Sequence, residues 1–160
     1  MTRRRTLTTS SPEETGEVAA VLARFCRPGH VVVLVGGLGA GKTTFVRGYA
    51  SALGVADPVT SPSYTLVHHY RCGPDAPVAL LLHADLWRLA SASELADLAL
   101  DEPLADGAAA VIEWGDRFEA TSGSDRVIIS FDVIDDTTRR LDVSLADSSL
   151  PDFVLGALSP

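Results

Sequence analysis

Lysine occurs once in these 160 residues, at Lys42, and the 13 Lys and Arg residues are outnumbered by 21 Asp and Glu, leaving a formal net charge of −8. A chain so poor in positive charge offers no broad electrostatic footprint for nucleic acid or an anionic membrane, so any role on RNA has to run through a partner. With no second lysine the guanine-reading pattern [NT]-K-x-D cannot be written anywhere in the chain. Only Cys26 and Cys72 carry thiols, and they lack both C-x-x-C spacing and a nearby histidine pair, which argues against zinc and fits a reducing cytoplasm. No stretch approaches the ~20 continuous apolar residues of a membrane helix. The sole basic run, Arg3-Arg4-Arg5, precedes the mostly polar Thr6 to Ser11 and reads as a solvated N-terminal segment, not as the start of a signal peptide. The expectation is a soluble cytoplasmic protein that does not engage membranes.

What is present is enough apolar material, 46% of residues, for one ordinary domain with a real core spanning residues 1–160. The unbroken apolar run Val31 to Val35 feeds Gly36-Gly37-Leu38-Gly39-Ala40-Gly41-Lys42-Thr43, which satisfies every fixed position of the phosphate-binding loop G-x-x-x-x-G-K-[ST]. Thr44 to Leu53 then reads as a helix ending near Gly54. Strand, glycine loop and helix supply the context the motif needs: backbone N–H groups against phosphate oxygens and a partial positive charge at the helix start. Lys42 would reach the β and γ phosphates, the Thr43 hydroxyl would ligate Mg²⁺, and Thr44 would contact the inner phosphates. A dinucleotide-binding G-x-G-x-x-G fails, because Lys42 or Thr44 falls where the third glycine belongs.

Elsewhere Arg5 to Thr9 predicts an edge strand, and Ser11-Pro12-Glu13-Glu14 opens a helix running to about Phe25. Tyr64 to Tyr70 and Val78 to His83 predict strands around a Cys72-Gly73-Pro74-Asp75 turn, and Ser91 to Leu104 a helix capped by Ser91 or Ser93. Ala108 to Ile112 predicts a strand, and Arg126 to Val133 with Arg140 to Leu145 a hairpin around Asp135-Asp136. The fold expected is α/β, a single-domain P-loop NTPase with a central mixed β-sheet flanked by helices.

Hydrolysis also requires an acid for the metal shell and a residue that positions water. Two apolar runs end in acids, Leu81-Leu82-His83-Ala84-Asp85 and Ala109-Ala110-Val111-Ile112-Glu113, although a strand-end acid often only caps a helix or lies in solvent. His83 reads as a hydrogen-bonded orienting histidine, since a metal pair with Asp85 lacks further ligands. Val59 to Thr65, with Ser61 and Pro62, suits a loop that senses a γ-phosphate, or equally a plain proline turn.

In order, these segments resemble the TsaE (YjeE) family of small bacterial P-loop ATPases. The resemblance spans most of the chain: Glu13-Glu14-Thr15, Gly36 to Phe45, Ser61-Pro62-Ser63-Tyr64-Thr65-Leu66-Val67, His83-Ala84-Asp85-Leu86-Trp87-Arg88-Leu89 and Ile112-Glu113-Trp114. Gly37 stands where the family usually has aspartate, and Trp87 where tyrosine is common. The resemblance implies an ATP- and Mg²⁺-dependent accessory role, with the TsaB and TsaD proteins, in making threonylcarbamoyladenosine on tRNA, and contact with tRNA only indirectly. It implies that Lys42 and Thr43 hold phosphates and metal, that Asp85 and Glu113 serve metal and attacking water, that Ser61 belongs to a switch, and that Thr15 and Trp114 lie near the nucleotide with Gly37, Leu38, Gly39, Ala40, Gly41 and Thr44. Arg139 and Arg140 match a loosely basic position. A small-molecule P-loop kinase is the alternative enzyme, but Arg71, Arg88 and Arg117 are scattered with no arginine-rich lid; a nucleotide-gated binding module is the alternative without turnover.

Overall fold

A computed structural model describes residues 3–62, 66–115, 125–145 and 148–159. Its frame is a seven-stranded mixed sheet in the order β1-β7-β6-β2-β5-β4-β3. The strands are β1 (Arg4–Thr9), β2 (Val31–Val35), β3 (Val67–Arg71), β4 (Leu80–Asp85), β5 (Ala109–Glu113), β6 (Arg126–Val133) and β7 (Arg139–Ser144), and the helices are α1 (Pro12–Ala23), α2 (Lys42–Ala52), α3 (Ala92–Asp97), α4 (Asp101–Ala105) and α5 (Phe153–Ala157). The central four strands, β6-β2-β5-β4, are mutually parallel, while β1 and β7 on one side and β3 on the other pair antiparallel.

β2 explains its own unbroken apolar sequence, because both its faces are covered. Val32 and Leu34 join the core shared with α1 and α2, whereas Val31 and Val33 join the core beneath α3 and α4. β5 divides in the same way, Ala109 and Val111 to one side, Ala110 and Ile112 to the other. Fully burying a valine, leucine or isoleucine contributes on the order of 1.5–3 kcal/mol, so the two cores clamp these strands firmly.

α1 starts as its sequence predicts: the Ser11 hydroxyl accepts from the Glu14 amide at 3.1 Å, and the Glu14 carboxylate reaches back to the Ser10 amide. α1 and α2 cross with Gly16 against Gly48, so closely that a Cβ on Gly48 would stand 2.5 Å from the Gly16 carbonyl oxygen. Beside that contact the Thr15 hydroxyl meets that of Thr9, the last residue of β1, at 2.7 Å, both buried.

Three expectations need correction. Ser91 to Leu104 is two short helices, and the break falls at Ala99, whose φ is +52°. Pro103 explains it, having no N–H for the Ala99 carbonyl and a ring that collides with it in a continuous helix. Ser91, not Ser93, is the cap. The strand expected over Val78 to His83 is displaced to Leu80–Asp85, because pairing with β5 sets its register from Leu81↔Ala109 to Asp85↔Glu113. The Arg3-Arg4-Arg5 run is not merely solvated: Arg4 and Arg5 open β1, Arg3 donates to the Leu145 and Ser148 carbonyls at 3.0 and 2.8 Å, and Arg5 donates to Leu155. Tyr64 and Thr65 of the expected third strand, and Arg117, lie outside the described residues, as does Ser63. No described helix is long and apolar enough to cross a membrane.

Candidate functional site

Leu34 and Asp85 both have Glu113 as register partner, so β2, β5 and β4 end together. Their carboxyl ends open onto a cleft of about 280 Å³, the location where parallel α/β sheets ordinarily receive ligands. Thr15, Leu38, Gly39, Ala40, Gly41, Lys42, Thr43, Thr44, Ser61, Asp85, Glu113 and Trp114 line it, which brings together every sequence-predicted site residue except Gly37. Gly37 lies in the same loop but outside the lining, and its carbonyl accepts from the Lys42 ammonium at 3.1 Å.

The loop's conformation depends on glycine at Gly39 and Gly41, with φ of +74° and +102°. Gly41 is the N-cap of α2 and supplies no side-chain acceptor to its first turn, so the helix start stays open towards the cleft. Lys42 is almost entirely buried; its ammonium donates to the Gly36 and Gly37 carbonyls and stands 3.7 Å above the Trp114 ring. Trp114 reaches this position through a left-handed backbone, φ +62°, held by its N–H donating to Leu34 O at 3.0 Å. For a tryptophan that conformation costs on the order of 1–3 kcal/mol, strain of the kind that gathers at ligand sites. Trp87 packs on Trp114 at 4.5 Å between ring centroids.

The two acids have different surroundings. Glu113 is buried; one oxygen accepts from the Thr43 hydroxyl at 3.3 Å and the other is 2.6 Å from His83 Nε2. Asp85 is more open, accepting from the Ser61 hydroxyl at 3.3 Å and from the Trp87 amide at 2.9 Å. Oxygen donors of this type, a hydroxyl and carboxylates, fit a hard divalent cation such as Mg²⁺. Among the described residues no group of three or more His, Cys, Asp or Glu could hold a metal ion.

Ser11, Pro12, Asp136 and Thr137 also line the cleft and were missed; Arg139, which the resemblance gave only as a loosely basic position, lines it too. Asp136 and Thr137 come from the β6–β7 turn, where Asp135 accepts from the Thr137 and Thr138 amides at 3.0 and 2.8 Å, and Arg139, which opens β7, donates to Gly39 O at 3.2 Å. The two arginines noted before the last strand therefore part company: Arg139 faces the cleft, while Arg140 pairs with Asp132 at 2.6 Å. Only that loose basic position signalled the turn. Burial pushes the Cys72 thiol up to about 11 and raises that of Cys26, so neither free cysteine is a poised nucleophile.

A glycine loop between a buried parallel strand and a helix, with acids on the adjoining strand ends, defines the P-loop NTPase fold. The family model "Threonylcarbamoyl adenosine biosynthesis protein TsaE" matches residues 9–141, and the chain belongs to the TsaE family. It is 40% identical over 121 residues to a Bacillus subtilis tRNA threonylcarbamoyladenosine biosynthesis protein TsaE, covering 76% of this chain and 73% of the relative. The Treponema pallidum protein of the same name is 38% identical over 136 residues, covering 84% of this chain and 96% of the relative. The crystal structure of Bacillus subtilis YdiB superimposes with a TM-score of 0.74 at 30% identity, covering 92% of this chain and 89% of YdiB.

Proposed function

We propose that this chain binds ATP with Mg²⁺ in the cleft and hydrolyses it, slowly alone and faster with partners, as a cytoplasmic accessory of the TsaB–TsaD pair that makes threonylcarbamoyladenosine on tRNA. One observation carries the reading: the loop that presents Lys42 and Thr43 opens into the same cleft as Asp85 and Glu113. Loop N–H groups and the α2 start bind the phosphates, and Lys42 leaves its carbonyl acceptors to neutralise the β and γ oxygens. Thr43, Asp85 and Glu113 are the groups available to hold Mg²⁺, which when bound offsets charge on the transferring phosphoryl group. Water then attacks the γ phosphorus, the bond to the β-bridging oxygen breaks, and ADP and phosphate leave; the acid not engaged with metal orients that water. Ser61, bonded to Asp85, couples the 59–62 loop to this acid, while Thr15 and Trp114 line the walls. With a net charge of −8, the chain meets tRNA through its partners.

The test is Mg²⁺-dependent ATP hydrolysis by the purified protein, alone and with cognate TsaB and TsaD. Stimulation by the pair that disappears in Lys42→Ala is expected. Tight ATP binding without stimulation would overturn the partner assignment and direct attention to a phosphoryl acceptor.

A further inference from the structure

Behind the cleft lies a polar side chain that does not line it. His83 is fully buried on β4, and its Nε2 stands 2.6 Å from the inner oxygen of Glu113. The outer oxygen of the same carboxylate takes the Thr43 hydroxyl at 3.3 Å. Glu113 is thus held at both oxygens, by a cleft residue on one side and a core residue on the other.

The far side of His83 shows why a polar group occupies this place. Among the described residues its buried Nδ1 has no hydrogen-bond partner, while the carboxylate facing Nε2 accepts, so Nε2 is the donor of this bond. An unsatisfied buried nitrogen costs roughly 1–3 kcal/mol, and an apolar residue of similar size would fill the same volume without that cost. Among the described residues the ring's one hydrogen-bond partner is an acid that is itself only 2% exposed and needs hydrogen bonds to remain there. When the Thr43 hydroxyl turns towards a ligand, Glu113 loses its cleft-side restraint and the His83 bond is what keeps the carboxylate aimed. Groups behind metal ligands act in this way: they fix the ligand's orientation and thereby its affinity for the ion.

We propose that His83 is a positioning residue that holds Glu113 in the orientation required by a divalent cation bound with the nucleotide, and so sets the Mg²⁺ concentration at which the site fills. This rests on the ATP–Mg²⁺ reading above. His83 touches neither nucleotide nor cation; it acts through Glu113.

ATP binding by calorimetry, in EDTA and across a Mg²⁺ titration, tests this on the whole chain. In His83→Leu, affinity for metal-free ATP should match the wild type while half-maximal Mg²⁺ rises about tenfold or more. His83→Gln, whose amide can still donate from nearly the Nε2 position, should recover most of the difference. If His83→Leu does not fold, His83→Asn, whose amide falls short of Glu113, replaces it with the same expectation. An unchanged Mg²⁺ midpoint overturns the proposal, and so does an equal loss of ATP affinity with and without metal, because that would mark collapse of the cleft. Should the wild type bind no ATP in either condition, the nucleotide reading fails by itself. Mn²⁺ alone, followed by loss of its free electron-spin signal, then becomes the probe: weaker binding in His83→Leu sustains the positioning role, and equal or absent binding in both proteins ends it.

Discussion

Asp85 and Glu113 are register partners on adjacent parallel strands, yet their carboxylates face different company. Glu113 is buried between His83 and the loop residue Thr43, whereas Asp85 turns to Ser61 and the Trp87 amide. One backbone position, repeated on neighbouring strands, supplies a rigid acid and a more exposed one.

Asp85→Asn and Glu113→Gln should therefore each lower the rate of ATP hydrolysis by about 10- to 100-fold while triphosphate still binds at saturating Mg²⁺. Single-turnover hydrolysis alongside equilibrium binding separates the two effects. Normal turnover in both variants would sink the assignment of these acids.

Gly48→Ala should destabilise the protein by about 1–3 kcal/mol, because its new methyl would meet backbone atoms of Gly16 and not a side chain that can swing aside. A lower urea midpoint with an unchanged slope is the expected result. The clash would also displace Thr15 from the cleft wall, so ATP affinity should weaken at temperatures where the variant remains folded.

His30 gives the chain a sensitivity to acid. It is fully buried, both ring nitrogens lack partners among the described residues, and burial lowers its pKa from 6.5 to about 4 despite the nearby Asp125 carboxylate. The unfolded chain consequently binds more protons between these values, so stability is fully present above pH 6.5 and falls as pH drops towards 4, by an amount on the order of 3 kcal/mol. Urea midpoints measured at pH 7 and pH 4.5 should differ less in His30→Leu than in the wild type; an equal difference would show that other groups govern acid unfolding.

Gly37→Asp should fold as well as the wild type, within about 0.5 kcal/mol, since a Cβ at Gly37 meets nothing within 4 Å. Thermal unfolding checks this. Glycine at this position is therefore not imposed by steric crowding.

Much of this arrangement was legible in the sequence because the decisive residues sit at element boundaries. Val31 to Val35 announces a doubly covered strand, Gly41-Lys42-Thr43 announces its loop, and Ser11 and Ser91 announce the helices they cap. What escaped depends on tertiary packing. The turn from Asp135 to Arg139 looks like an ordinary hairpin tip until β6 is placed beside β2, which swings that tip over Gly39. α5 has only five residues, contains Gly156 and lacks a side-chain cap, so nothing local distinguishes it; burial of Val154 and Leu158 holds it in place. The division of labour between Asp85 and Glu113 was likewise out of reach, since it follows from which face of each strand end meets His83, Thr43 and Ser61.

The position of β2 has a consequence for biosynthesis. Val31 is bonded in register to both Ala110 and Arg126, so the strand carrying the phosphate loop gains its two neighbours only after most of the chain has left the ribosome. Pairings across such long sequence separations form slowly. A nascent chain ending before β5 would display the glycine loop on an unflanked strand, and the loop's strand is framed on both sides only once Arg126–Val133 has emerged.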